Sequence, residues 1–160
     1  MTHLDDDSEA LKHNFFFRGF FRRRGYYDLA QLTPAGYMTS KFVKGRSSER
    51  VWLPGDTLFA QQQDGKEDLT PAGEAAINHS MEKLVKQLPN KPIVVEGYCS
   101  QGKPAERYIR SLHRAEMVKK YLEHEFELKT GTAGMMPLGA EPPHETGKTV
   151  WDGISIVVLE

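Results

Sequence analysis

IVVEGYCSQG, residues 93–102, is the stretch on which the fold turns. Pro92 is followed by Ile93, Val94 and Val95 and then by Glu96-Gly97-Tyr98, a β-branched run that reads as a largely buried strand. Gly97 and Gly102 suit the turn after it. Working downstream, Pro104 opens a helix whose stripe is Tyr108, Leu112, Ala115, Val118 and Leu122. A weak strand is expected around Leu128–Ala133. Gly131, Gly134, Pro137, Gly139, Pro142 and Pro143 then mark a long loop. A last strand follows, in which Ile154, Ile156 and Val158 alternate with Ser155, Val157 and Leu159. Working upstream, Thr70 and Pro71 supply an N-cap and a first helical residue. Ile77, Met81, Leu84, Val85 and Leu88 recur behind them at helical spacing, and Pro89-Asn90 ends the helix. Before it, LPGDTLFA (53–60) reads as a short strand and Gln61–Asp68 as a polar loop. Helices between strands favour crossovers onto one sheet. The expectation is an α+β, βαβαβ-type two-layer sandwich, a mixed sheet with two long helices on one face.

The remaining composition agrees with a folded chain. One hundred and sixty residues hold 39% hydrophobic, 10% aromatic and 27% charged side chains, which excludes wholesale disorder. A formal net charge of −1 argues against a whole-chain nucleic-acid binder. No apolar run approaches the ~20 residues of a membrane span. Met1 to Asp7 is acidic where a secretory signal carries basic residues, so any signal or anchor is expected upstream of this chain. The single Cys99 excludes an internal disulfide and a cysteine-based zinc site.

Charge divides the chain near Arg50. Residues 1–50 carry nine Lys/Arg against six Asp/Glu, and residues 51–160 twelve against sixteen. We therefore expect a helical and irregular aromatic-basic arm at 1–50 and one domain at 51–160, with SKFVKGRSSER (40–50) as linker. In the arm, Ser8 is a helix N-cap, and EALKHNFFFRGFFRRRG runs to Gly25. Five Phe in seven positions cannot share one face. Residues 8–37 are thus expected to pack on the main domain, on an envelope protein partner or on a membrane surface.

The order of these pieces carries a resemblance. LPGDTLF, LTPAGEAAINHSMEKLVKQL, IVVEGYCSQG and RSLHRAEMVKKYL, then a Gly- and Pro-rich loop and a closing strand, resemble the OmpA-like C-terminal domain, over residues 52–159. That family includes the peptidoglycan-associating parts of OmpA, Pal and MotB proteins. The resemblance implies a non-enzymatic module of the periplasm that binds the peptide stem of peptidoglycan at diaminopimelate, without a cofactor. In the family an Asp after the second strand contacts the ligand's ammonium group, and an Arg in an LSxxRA helix start contacts a carboxylate. The Arg corresponds to Arg114 and the Ser to Ser111. The arm is similar, over LKHNFFFRGFFRRRGYYDLAQLTP, to the segment after the MCE domain of MlaD-like lipid-transport proteins.

Departures from the family pattern matter as much. Ser100 stands where the Asp is expected, and Glu106-Arg107 lies near the place of a lost Asn. The closing strand reads WDGISI, without the family's arginines. A zwitterionic amino acid needs an anion for its ammonium group, and losing that charge-assisted bond costs about 1.5–3 kcal/mol. Glu96 and Asp152 are the candidate replacements. The expected ligand-binding residues are Arg114, Ser100, Ser111, Tyr98, Gly102 and Arg110. The function they imply is weak or altered binding of the peptide stem. The alternative is a protein-interaction scaffold of an MCE/MlaD-type lipid-transport component that no longer binds peptidoglycan. Cys99, Ser100 and His113 have no orienting acid or oxyanion motif beside them, and His79, His124 and His144 lack ligand spacing, so neither catalysis nor a metal is expected.

Overall fold

A computed structural model describes residue 37 and residues 49–85, 93–127 and 133–158. The expected helix from Ser8, residues 40–48 of the expected linker, the helix end at Pro89-Asn90, Leu128 and the packing of Leu88 and Leu159 fall outside the described residues, while Glu49 and Arg50, expected in the linker, lie in a strand instead. Strand β1 is Glu49–Pro54. A four-residue helical turn α1 (Gly55–Leu58) leads into β2 (Phe59–Gln61) and β3 (Glu67–Leu69). Helix α2 (Pro71–Val85), strand β4 (Ile93–Tyr98) and helix α3 (Pro104–Glu125) follow. Strands β5 (Ala133–Pro137) and β6 (Gly153–Val158) come last.

The main sheet has the order β1-β6-β4-β5. Strands β4 and β5 are parallel, which requires a crossover, and α3 is that crossover. Strand β6 inserts antiparallel between β1 and β4, so that Ile156 faces Val51 on one side and Val95 on the other. Side chains alternate along each strand. Leu53, Ile93, Val95, Met135, Ile154, Ile156 and Val158 therefore share one face. Against it pack Ile77, Met81 and Leu84 of α2 and Ala115, Val118 and Leu122 of α3, in a single core. Both long helices lie on this face, as expected. Burying each such side chain contributes about 1.5–3 kcal/mol, so this cluster dominates stability. Gly97 marks where α3 comes closest to the sheet. A Cβ there would collide with the Ser111 carbonyl.

Four expectations need correction. LPGDTLFA is not one strand: β1 ends at Pro54, and Gly55–Leu58 coils into a helical turn whose Gly55 N–H donates to the Asp152 carbonyl at 3.0 Å. The polar loop is shorter than expected, because Glu67–Leu69 pairs antiparallel with Phe59–Gln61 as a separate two-stranded hairpin. The third strand lies at Ala133–Pro137, through Gly134 and Pro137, because the parallel pairing with β4 outweighs their weak strand propensity. Tyr108 stands 43% exposed and leaves the buried stripe, while Ser111 and Arg114 are buried on α3. The Thr70 cap is as expected: its Oγ1 accepts the Gly73 N–H at 2.8 Å.

The other face of the sheet carries a buried charge. Glu96 of β4 is fully buried and ion-paired with Arg50 of β1. Its carboxylate also accepts the Tyr98 and Tyr37 hydroxyls, each at 2.7 Å. Such a charge is tolerated inside a protein only when its oxygens are matched. Burial, and then the Glu96 charge, push the pKa of both tyrosines well above the usual phenol value. Arg50→Ala should therefore strand Glu96 and destabilise the fold by about 3–5 kcal/mol, read by urea unfolding. The two phenols have raised folded pKa values, so their stabilisation is complete below the unfolded value of about 10 and declines as pH rises above it. Ultraviolet absorbance should show phenolate forming together with alkaline unfolding, and Glu96→Gln should shift that titration to lower pH.

Candidate functional site

Arg114, halfway along α3 and only 6% exposed, is the centre of the second polar cluster. Its side chain leaves the helix toward the β2–β3 hairpin. Nε donates to Glu67 Oε1 at 2.8 Å and Nη2 to Glu67 Oε2 at 2.7 Å, a bidentate pair. Nη1 donates to the Tyr98 carbonyl at 2.8 Å and to Asp152 Oδ1 at 3.1 Å. The guanidinium carbon lies 5.1 Å from the centre of the Phe59 ring. Burial by itself lowers the pKa of this group. The Glu67 hydrogen bonds and the charges of Glu67 and Asp152 more than reverse that, so the guanidinium holds its proton more tightly than usual.

Asp152 is the second carboxylate of the cluster. Its Oδ1 accepts the Ser100 N–H at 2.9 Å and the Ser100 hydroxyl at 3.3 Å, besides Arg114. Its side chain is 34% exposed. Trp151 aims it: the indole N–H donates to the Ile154 carbonyl at 3.0 Å, and the ring packs edge-on against Trp52 at 5.3 Å. Gly153 follows at φ 139°, a conformation that side chains rarely adopt, and a Cβ there would strike the Leu53 carbonyl. The turn that presents Asp152 thus depends on a glycine after it.

The expected site residues divide into two groups. Arg114, Ser100 and the Tyr98 carbonyl come together around Asp152. Arg110, partly exposed, joins at the rim, with Nη1 3.9 Å from Glu67 Oε2. Ser111 is turned inward: its hydroxyl donates to the Tyr108 carbonyl at 2.7 Å and accepts the Gly139 N–H at 3.2 Å. The Tyr98 ring belongs to the Glu96 cluster across the sheet, and the Gly102 carbonyl accepts Arg107 Nε at 2.8 Å. Of the two candidate replacements for the missing Asp, Glu96 is spent on the far face, and Asp152 touches Ser100 itself. Glu67 was missed. It lies in a polar stretch with no apolar alternation to mark a strand, and only the hairpin brings it to Arg114.

Other chemistry is sparse around this cluster. The buried Cys99 thiol donates to the Gln101 carbonyl at 3.4 Å. Among the described residues, no group of three or more His, Cys, Asp or Glu side chains could hold a metal ion.

The OmpA family model matches residues 62–149, which hold Glu67, Tyr98, Ser100, Arg110 and Arg114, with Asp152 just beyond them. The chain belongs to the OmpA family. OmpA-like domains are generally non-enzymatic binding domains, and peptidoglycan is what they typically bind. This OmpA-family domain is accordingly a cell-envelope binding module. No curated protein matches the chain. Among solved structures, it is similar to the periplasmic domain of Helicobacter pylori MotB (residues 97–256), with 16% identity and a TM-score of 0.49, over 71% of this chain and 82% of that one.

Ser111 tests the division of labour in this OmpA-family site. Ser111→Ala should leave the Gly139 N–H without its partner and lower stability by about 1–3 kcal/mol in urea unfolding. Sedimentation with insoluble peptidoglycan should be unchanged in the same variant.

Proposed function

We propose that this chain is a non-enzymatic periplasmic module that binds the peptide stem of peptidoglycan at diaminopimelate, weakly and in altered form. One observation carries the reading: Asp152 Oδ1 is hydrogen-bonded both to Ser100 and to Arg114. A carboxylate next to a guanidinium matches the ammonium and carboxylate of a zwitterionic amino-acid end. The anion that the family carries at the position of Ser100 is thus supplied from the segment before β6. Asp152 accepts the ligand's ammonium group, Arg114 faces its carboxylate, and Ser100 holds Asp152 in place. Arg110 adds positive charge at the rim. Binding is weak because the Arg114 guanidinium already has a carboxylate partner in Glu67.

The test is sedimentation of the full chain with insoluble peptidoglycan, wild type against Asp152→Asn. Asp152→Asn keeps the shape and removes the charge, and should weaken association by roughly ten- to a hundred-fold. Wild-type protein that stays in solution at every peptidoglycan concentration overturns the reading.

A second reading is favoured by the closure of Arg114 itself. With Nε, Nη1 and Nη2 all bonded internally, the cluster serves equally to lock the hairpin onto the domain. The domain would then be an interaction scaffold, with the MlaD-like arm at residues 8–37 as its contact to an envelope protein or membrane surface. Equal retention of both proteins in solution is the result that this reading requires.

A further inference from the structure

We propose that Glu67 is a built-in competitor for the ligand's carboxylate, and that this competition makes the site select a free carboxylate over its amide. The inference rests on the reading above, that Asp152 and Arg114 form the binding pair.

Glu67 occupies the Nε–Nη2 edge of the guanidinium with both of its oxygens, at 2.8 and 2.7 Å. That edge is the one a planar carboxylate fits best, because two parallel N–H bonds match its two oxygens. The other contacts of Arg114 come from elsewhere: the Tyr98 carbonyl ends a strand of the main sheet, and Asp152 precedes another. They remain in place when the Glu67 edge changes partner.

Glu67 is also the member of the cluster whose element is easiest to shift. It opens β3, a three-residue strand paired with β2 in a two-stranded sheet of its own. The loop at residues 62–66 that closes this hairpin is exposed throughout. Moving Glu67 aside breaks no hydrogen bond of the four-stranded sheet. Once displaced, its carboxylate has a second cation within reach, because Arg110 Nη1 is already 3.9 Å from Oε2 and partly exposed.

A ligand must therefore outbid an intramolecular carboxylate. One with its own carboxylate exchanges like for like at the guanidinium, and its ammonium group gains Asp152. Asp152 Oδ2 accepts no hydrogen bond among the described residues. A carboxamide is neutral and offers the guanidinium one acceptor oxygen beside an N–H group, so it cannot replace both bonds and the charge of Glu67. The ligand class is an α-amino acid end with both groups free.

Calorimetric titration of the full chain with meso-diaminopimelic acid and with its diamide tests this, in wild type and Glu67→Gln. Glu67→Gln should bind the acid roughly ten-fold more tightly than wild type. The diamide should bind wild type at least about ten-fold more weakly than the acid. Wild type that binds the acid, with Glu67→Gln no tighter, overturns the competitor and leaves the proposed function standing. A diamide that binds as well as the acid overturns the selectivity. No binding of the acid by either protein overturns both readings. Hydrogen exchange supplies a measurement on the unaltered chain. Amides of residues 59–69 should exchange faster with saturating acid, as the hairpin loses its anchor, and slower or unchanged exchange counts against the displacement.

Discussion

A guanidinium buried to within a few per cent of full enclosure constrains everything around it. Taking such a charge out of water costs several kcal/mol unless anions and carbonyls replace the lost solvent. Arg114 finds those partners on separate pieces of chain: Glu67 on the hairpin, the Tyr98 carbonyl at the end of β4 and Asp152 ahead of β6. Each element must arrive in register for the charge to be matched. The cluster is therefore the point at which the hairpin, the long helix and the sheet are tied together, and it is also where we propose that the binding chemistry sits. In the proposed function, stability and recognition draw on the same hydrogen bonds, so a ligand gains only the difference between its contacts and those already made.

Tyr98 links this cluster to the one on the opposite face of the sheet. Its carbonyl accepts from Arg114, while its hydroxyl donates to the buried Glu96. Two buried charges of opposite sign thus lie on either side of one strand end, each with its own counter-charge. Tyr37, from the chain before β1, closes the Glu96 side. The aromatic hydroxyls do there what Ser100 does near Arg114: they satisfy a carboxylate without adding charge. Loss of Arg50 leaves Glu96 an isolated buried charge, whereas Arg114 keeps Asp152 when Glu67 is lost, so the Glu96 cluster resists substitution far more than a surface pair would.

Regular, strongly patterned elements were legible in the sequence. The β-branched run at 93–98, the Thr70-Pro71 cap and the spacing of Ile77, Met81 and Leu84 each report a local preference that burial reinforces. Weakly patterned elements were not. Glu67-Asp68-Leu69 has no alternation because its hairpin is largely exposed, and the turn at Gly55–Leu58 is too short for helical periodicity to register. Gly134 and Pro137 read as loop punctuation, yet backbone pairing with β4 holds them in a strand. Arg114 itself was legible as the central cation through the family's helix motif. Its partner was not, because forty-seven positions separate it from Glu67.

Sequence by itself determined the class of fold and the order of the main helices and strands, since these are written in local spacing and residue type, and the family resemblance singled out Arg114. Tertiary structure decided which carboxylates meet that cation. Glu96, Asp152 and Glu67 are chemically near-equivalent, and nothing local ranks them. Strand alternation sends Glu96 to the far face, the glycine turn at 153 brings Asp152 to Ser100, and hairpin closure delivers Glu67 to the guanidinium. Charge pairing depends on distance in space, and distance in space is set only when the chain is folded.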